Sequence, residues 1–404
     1  MHIRFLAYFY TPCIGGCETV LQHQAEELVR RGHQVDVHVT PYTIQDLGQR
    51  VDSGTEVIGG VRVHRHPSFG LPFTNPFEKD AVTPGFVRAA LASADLVVCV
   101  GFPSLHLEAL SMARRLSGAA LVVQNYITAE VLREVLNPSG TAHRHRVRTA
   151  YWQGRVRSTL RQADLVIADS PGAARALGEW LGTESVHCHI GMAVDPREFE
   201  DVTPQAIRSA REALGLGRSK VILAPSRIAH QKGTDLLVQA AAPLLRDASD
   251  DWRIAVVGPV NEPSFLARVE QLAAPLGERV RIGRLERPEL LALMSDSQMV
   301  VLPSRGETVG GVVFEGMYAG ALAIVSDGVE AARDDYLNDG VNGLLVPAGS
   351  VEGLQAALPS GMGGSLESLR EEGRRMVEQR FTWGRSVDRL VELYNIALEG
   401  SARG

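Results

Sequence analysis

Four ionisable residues stand at spacings that could handle a phosphorylated, hydroxyl-rich ligand. Glu307 and Glu315 are eight positions apart and flank the pair Gly310-Gly311, while Arg227 and Lys232 leave one short segment with four residues between them. Paired glycines let a ligand come close to the backbone. A helix that starts there offers free N–H groups and the positive end of its dipole to an anion. Two cations beside such a helix start make a diphosphate clamp. One carboxylate before the helix and one on its first turns suit hydroxyls at either end of the ligand. A nucleotide sugar has that pattern, with hydroxyls at both ends and a diphosphate between them. Taken alone, 304–320 also reads as a plain strand-loop-helix with two solvated glutamates.

The elements that must position these residues follow from hydropathy. Met299 to Leu302 is a short apolar run closed by Pro303, as expected of a buried parallel strand. Val312, Val313, Glu315, Gly316 and Ala319 then fall on a helical period. With the helix beginning near Val309, Glu307 lies in the turn at the strand's carboxyl end, where open α/β sheets bind ligands. Val221 to Ala224 is a second strand. The loop from Pro225 to Gly233 follows it, and Thr234 can cap a helix from Asp235 to Leu245. Trp252 to Gly258, Val280 to Gly283, Ala321 to Ser326 and Gly343 to Val346 complete a second sheet. The first half repeats the scheme. A strand from His2 and a turn at 11–16 lead into a helix from Cys17 to Arg31 ended by Gly32, then a strand from Gln34 to Val39. Gly15-Gly16 opens that helix as a second anion-ready site, with a tight turn as the plain alternative. Neither site has the G-x-G-x-x-G spacing of a dinucleotide fold. Further strands at 95–100, 119–124 and 164–169, with a helix from about Leu105 to Leu116, continue the alternation. The fold class is therefore α/β, built from parallel, doubly wound sheets.

A chain of 404 residues is too long for one ordinary core, and two domains are expected, with a linker near 195–200. Net charge −6 gives no general affinity for nucleic acid. Hydrophobic content of 45% and mean hydropathy of −0.01 describe a soluble globular protein. No apolar run approaches the ~18 residues of a membrane helix, and the chain opens directly into a strand, so a cytoplasmic location is expected. Four cysteines argue for a reducing compartment, with Cys13 and Cys17 as plain thiols. His187 and His189 alternate as in a strand but lack a third metal ligand. Thr141 to Arg161 is rich in His and Arg. A solvated surface helix is the simplest reading, and peripheral contact with an anionic membrane surface is the alternative.

With these pieces assembled, the sequence resembles the retaining nucleotide-sugar glycosyltransferases of family four. The matching motifs are Gly15-Gly16-Cys17-Glu18, Arg227 and Lys232-Gly233 with four residues between, and Glu307 and Glu315 with seven between. Supporting pieces are 163–170, Ala193-Val194-Asp195, 339–347 and Arg380-Phe381-Thr382-Trp383, in family order over nearly the whole chain. The resemblance implies the GT-B fold: two Rossmann-like domains facing each other across a cleft, with the last helix crossing back to the first. The expected division is 1–197 for the acceptor side, 198–382 for the nucleotide-sugar side, and 383–404 for the returning helix. It implies retention at the anomeric carbon, no cofactor and no metal. Its partners are a UDP- or GDP-sugar donor and an acceptor nucleophile, and it leaves room for a homodimer.

Carried over by residue, the resemblance gives the donor diphosphate to Arg227 and Lys232, sugar hydroxyls to Glu307 and ribose hydroxyls to Glu315. Backbone amides near Gly310-Gly311 add donor contacts, and Gly15-Gly16 closes on the phosphates from the other domain. The sequence departs from the family where Val309 replaces an aromatic and where Gly320-Ala321-Leu322 replaces Gly-x-Pro. A histidine expected at a strand end of the first domain is Asn125, which hydrogen-bonds but carries no charge. His106 is the nearby substitute in sequence. The competing activities are a nucleotide-sugar epimerase of the same architecture and a nucleotide-sugar-binding protein without turnover.

Overall fold

The computed structural model describes residues 1–13, 15–42, 51–71, 80–101, 116–125, 129, 153–183, 185–247, 251–363 and 366–401. The chain divides into two compact units. One is Met1–Met192 with Trp383–Gly404, and the other is Ala193–Thr382.

The first unit holds a sheet of β1 (His2–Leu6), β2 (Gln34–Val39), β3 (Gly54–Ile58), β4 (Val61–Arg65), β7 (Leu96–Val100), β8 (Ala120–Asn125), β9 (Leu165–Ala168) and β10 (Val186–Cys188). A separate antiparallel ribbon pairs β5 (Phe69–Leu71) with β6 (Asp80–Val82). The main sheet runs β10-β9-β8-β7-β1-β2-β4-β3, and its pairings are parallel except the β3–β4 hairpin. Central strands such as Leu96–Val100 are buried at every residue, which is why they read as unbroken apolar runs. Strand order reverses between β1 and β7. Helix α1 (Gly16–Arg30) follows β1 and buries Val20, Leu21, Ala25 and Leu28, the i, i+4 stripe visible in the sequence. Helix α2 (Pro84–Leu91) covers the opposite face, where the buried Arg4 donates to the carbonyls of Ala89 and Ala92.

The second unit holds a six-stranded parallel sheet. Its strands are β11 (Lys220–Pro225), β12 (Trp252–Val257), β13 (Val280–Gly283), β14 (Met299–Leu302), β15 (Leu322–Ser326) and β16 (Leu344–Val346). The order is β13-β12-β11-β14-β15-β16, so the reversal falls between β11 and β14. Helices α3 (Thr234–Asp247), α4 (Arg287–Asp296) and α5 (Gly311–Tyr318) carry or support the residues of interest. Thr234 is the first residue of α3 and not its cap. Helix α5 begins at Gly311, two residues later than the sequence suggests, because Gly310 takes a left-handed conformation and stands outside it.

The two units divide between Met192 and Ala193. Residues expected in the linker are ordered: Pro196–Glu200 is a short helix whose first turn is capped by the Asp195 carboxylate. Helix α6 (Trp383–Ser401) packs within the first unit. Val387, Leu390, Leu393, Tyr394 and Ala397 join the core beside β1 and β8, and the Tyr394 hydroxyl meets Gln124 Nε2 at 3.3 Å. His189 anchors α6 through Ser386 O at 2.9 Å, and burial lowers its pKa to about 4. His189 is thereby a core histidine. Among the described residues, no helix is long and apolar enough to cross a membrane.

Candidate functional site

The loops after β11 and β14 emerge side by side at the carboxyl edge of the second sheet, on either side of its reversal point. Open parallel sheets leave a crevice there because successive helices depart to opposite faces. The β11 loop carries Arg227, exposed, then a single 3-10 turn, His230–Lys232. Gly233 ends that turn with φ +68, and a Cβ there would stand 2.0 Å from Pro303 O. Only glycine lets the two loops approach this closely.

This approach brings Lys232 to Glu307. Lys232 is 8% exposed, and its Nζ lies 2.5 Å from Glu307 Oε1. The buried Ser304 donates to Glu307 Oε2 at 3.0 Å. Further ties hold the loops together. Arg305 N–H donates to Gln231 O at 2.7 Å, and the Gln231 amide donates to Gly306 O at 2.6 Å. The Arg305 guanidinium grips the fully buried Asp235, on the first turn of α3, at 3.0 Å through each oxygen. On its other side, Glu307 N–H donates to Gly328 O at 2.9 Å, and the Tyr336 hydroxyl to Val309 O at 2.8 Å. Glu307 is thus fixed by its backbone and both carboxylate oxygens.

Gly310, with φ +72, turns the chain into α5, and a Cβ there would meet Leu302 Cδ2 at 2.7 Å. The first-turn N–H groups after it have no intrahelical acceptor, which is the general property that draws anions to a helix start. Glu315 follows on the second turn. Arg287, at the start of α4, holds Glu315 Oε1 at 2.7 Å through Nη1 and Glu198 at 2.7 Å through Nη2. Burial pushes the Glu315 carboxyl above its usual range, with Arg287 opposing the shift. Burial would also discourage the charge on Arg287, but Glu198 and Glu315 outweigh it and raise its pKa. Glu315 Oε2 is buried and has no hydrogen-bond partner among the described residues. A buried carboxylate oxygen in that condition calls for a donor. Arg287 and Glu198 were invisible to sequence reasoning, since they lie 28 and 117 positions from Glu315.

The first unit offers a different picture at its own reversal point. Gly15-Gly16 opens α1, but Glu18 folds back over that start, so close that a Cβ on Gly15 would stand 2.1 Å from Glu18 Oε2. Burial raises the Glu18 pKa, against the pull of its own backbone N–H. Cys13 and Cys17 are free thiols. Burial, with Glu18 adding to it, pushes Cys13 up to about 11, so it is not a thiolate near neutral pH, while Cys17 is exposed. Asn125 ends β8 at 1% exposure, and neither its Nδ2 nor its Oδ1 has a partner among the described residues. His106 and most of the basic stretch 141–161 lie outside the described residues.

Two family models match in succession. Residues 14–198 match Glycosyltransferase Family 4, and residues 219–360 match Glycosyl transferases group 1. A D-inositol 3-phosphate glycosyltransferase of Gordonia bronchialis is 29% identical over 100% of this chain and 88% of its own length. The namesake from Geodermatophilus obscurus is 31% identical over 60% of this chain, a match spanning only 54% of that relative. An alpha-D-kanosaminyltransferase of Streptomyces kanamyceticus is 30% identical over 58% of each chain. Among solved structures, a glycosyltransferase from Rickettsia africae superposes with TM-score 0.73 at 18% identity, covering 98% of this chain and 99% of that one. HepE of Anabaena, solved in complex with UDP-glucose, gives 0.68 at 20% identity, covering 97% and 99%. At these identities the structural likeness shows the fold.

Proposed function

The chain belongs to the family-four glycosyltransferases of GT-B fold, and from that premise we propose that it moves a sugar from a nucleoside diphosphate sugar to an acceptor nucleophile, with retention and without a metal. The observation that carries this reading is the second unit's reversal point, where two adjoining loops bring Lys232 to Glu307 just before the α5 start, with Arg227 exposed on the first of them.

In this reading the donor diphosphate lies across the Gly310-Gly311 start, with Arg227 and Lys232 as its cations. Arg227 is exposed and reaches the ligand from water. Lys232 already leans on Glu307 and shares its charge with the phosphate when the donor arrives. Glu307, held by Lys232 and Ser304, presents its carboxylate to the transferred sugar's hydroxyls. Glu315, with Oε1 held by Arg287, offers the partnerless Oε2 to a ribose hydroxyl. Gly15-Gly16 opens a second helix start, free for a ligand anion once the Glu18 carboxylate yields its place. Asn125 gives its amide atoms, which have no partner among the described residues, to a sugar or acceptor hydroxyl, as the neutral counterpart of the histidine expected there.

The chemistry then needs little from a side-chain nucleophile. The acceptor hydroxyl forms its bond to the anomeric carbon on the face that the diphosphate leaves. The bond to the diphosphate oxygen breaks with its electron pair, and the acceptor proton passes to a leaving phosphate oxygen. Arg227, Lys232 and the helix start stabilise the charge that develops there, which is where electrostatic catalysis contributes most. UDP- and GDP-sugars are the donor classes, and D-inositol 3-phosphate, named by the relatives, belongs in the acceptor panel.

The test is a panel of UDP- and GDP-sugars by thermal shift, then turnover of the best donor in excess EDTA with the product followed by NMR. A donor at ~100 times its dissociation constant should stabilise the protein by about 2.7 kcal/mol. Expected are a retained anomeric configuration and EDTA-resistant turnover. An inverted product, or activity abolished by EDTA and restored by metal, would overturn the mechanism. Epimerised donor without a new glycoside would favour the epimerase reading.

A further inference from the structure

A second polar cluster lies in the first unit, on strands that carry none of the donor residues. Asp36 and His38 alternate along β2, and Arg62 and His64 alternate along β4. The parallel register sets Asp36 beside Arg62 and His38 beside His64. Alternation puts all four on one face of the sheet. His66, just after β4, joins them: the His38 ring stacks on His64 at 4.5 Å and on His66 at 5.1 Å, within 13° and 4° of parallel. Asp36 and His38 are buried. Ligand atoms of Asp36, His38 and His64 all lie within 4.8 Å of one another.

The hydrogen bonds decide which lone pairs are spoken for. His38 Nδ1 and His66 Nε2 are 2.8 Å apart and share a proton. His38 Nε2 is buried and has no partner among the described residues. His64 Nδ1 lies 2.9 Å from the Thr55 hydroxyl, and its Nε2 stands 3.8 Å from Asp36 Oδ1. With the proton on Nδ1 of both rings, each donates outward and keeps an Nε2 lone pair. Metal-binding histidines are held in this way, one nitrogen engaged by a supporting partner and the other by the metal. Burial, together with the neighbouring imidazoles, lowers His38 to about 2 and His66 to about 4, and it lowers His64 too. The rings are therefore neutral near pH 7, the ligating form.

Other donors already address the carboxylate. Arg62 Nε is 2.7 Å from Asp36 Oδ1, and Asp36 Oδ2 meets His2 Nε2 at 2.6 Å and Arg4 Nη2 at 3.8 Å. Arg4 is fixed under α2, but the Arg62 side chain is 47% exposed and can turn to water.

We propose that Asp36, His38 and His64 form a binding site for a transition-metal dication of the zinc class, with Arg62 as the cation the metal displaces from Asp36. Two imidazoles and one carboxylate suit zinc, cobalt or nickel, whereas magnesium and calcium prefer all-oxygen sites. A water would complete four-coordination. The bound ion would pin β2 to β4 through side chains.

The test is titration of the chelator-treated full-length protein with Co2+, followed by visible d–d absorption and by equilibrium dialysis. Expected are one Co2+ per chain in a four-coordinate spectrum, displaced by Zn2+. His64→Ala should weaken binding at least ~10-fold, as losing even a supporting partner does. Arg62→Met should tighten it by removing the competing cation. Both side chains are partly exposed, and circular dichroism will verify that the variants keep the fold. Absence of saturable binding, equal affinity in His64→Ala, or weaker binding in Arg62→Met would each overturn the site.

Discussion

The two sheet reversal points of this protein share an architecture and differ in what fills them. In the first unit, the glycine-opened helix α1 is met by the chain's own anion, Glu18. In the second, no side chain caps the glycine-opened helix α5, and the loop before it holds Glu307 paired with Lys232 from the neighbouring loop. A helix start attracts an anion in either case. Where the protein supplies one itself, a ligand must displace or neutralise it. Where the protein supplies cations, a ligand anion completes the charge balance. On the proposed function, the contrast leaves most of the diphosphate binding to the second unit.

The largest expected effect comes from breaking the cationic side of that contrast. Lys232→Ala and Arg227→Ala should each lose about 2–5 kcal/mol of transition-state binding, the penalty for stranding a charged partner. Steady-state kcat/KM measures this, and values within threefold of wild type for both variants would remove the clamp. Next in size is Glu315→Gln, which should weaken a sugar-free nucleoside diphosphate by about 1.5–3 kcal/mol, one charge-assisted hydrogen bond. Arg287→Met should follow it, because Arg287 aims the carboxylate. Glu307→Gln should lower turnover of the full donor while sparing the sugar-free ligand. Equal losses of nucleotide affinity in Glu307→Gln and Glu315→Gln would mean that the two roles are wrongly assigned.

Smaller again is Gly310→Ala. A side chain at φ +72 pressed against Leu302 should cost about 1–3 kcal/mol of stability, read from denaturant melts. The smallest effect belongs to the first unit. The folded Glu18 carboxyl sits above its ordinary value, so its contribution is full at low pH and is lost as pH rises through that raised value. Glu18→Gln should therefore be slightly more stable than wild type at pH 7, by under ~1 kcal/mol, and no more stable at pH 4. Melts at the two pH values check it, and a variant less stable at pH 7 would show that the ionised carboxylate serves the helix start.

The strands, the loops that follow them and the glycine pairs were legible because buried parallel strands are unbroken apolar runs and glycine punctuates their ends. The convergence of Lys232 with Glu307 was half legible. Sequence placed both at a carboxyl edge, but only the strand order made β11 and β14 neighbours. The Arg287–Glu198 support of Glu315 left no local trace, since it joins three separate segments. The β3–β4 hairpin was missed, and with it the histidine cluster. Asp36-Val37-His38 and His64-Arg65-His66 each alternate like the His187/His189 pair, but only the pairing of the two strands brings them together. Asn125 was legible as a departure from the family, whereas its burial with no partner among the described residues was not.

The most direct test of the account is calorimetric titration of the nucleoside diphosphate into wild type, Lys232→Ala and Glu18→Gln. The account predicts that Lys232→Ala loses about 30-fold or more in affinity, the lower end of the charged-partner penalty, while Glu18→Gln binds as tightly as wild type or slightly better. Affinity within threefold of wild type in Lys232→Ala, or a larger loss in Glu18→Gln than in Lys232→Ala, would contradict it.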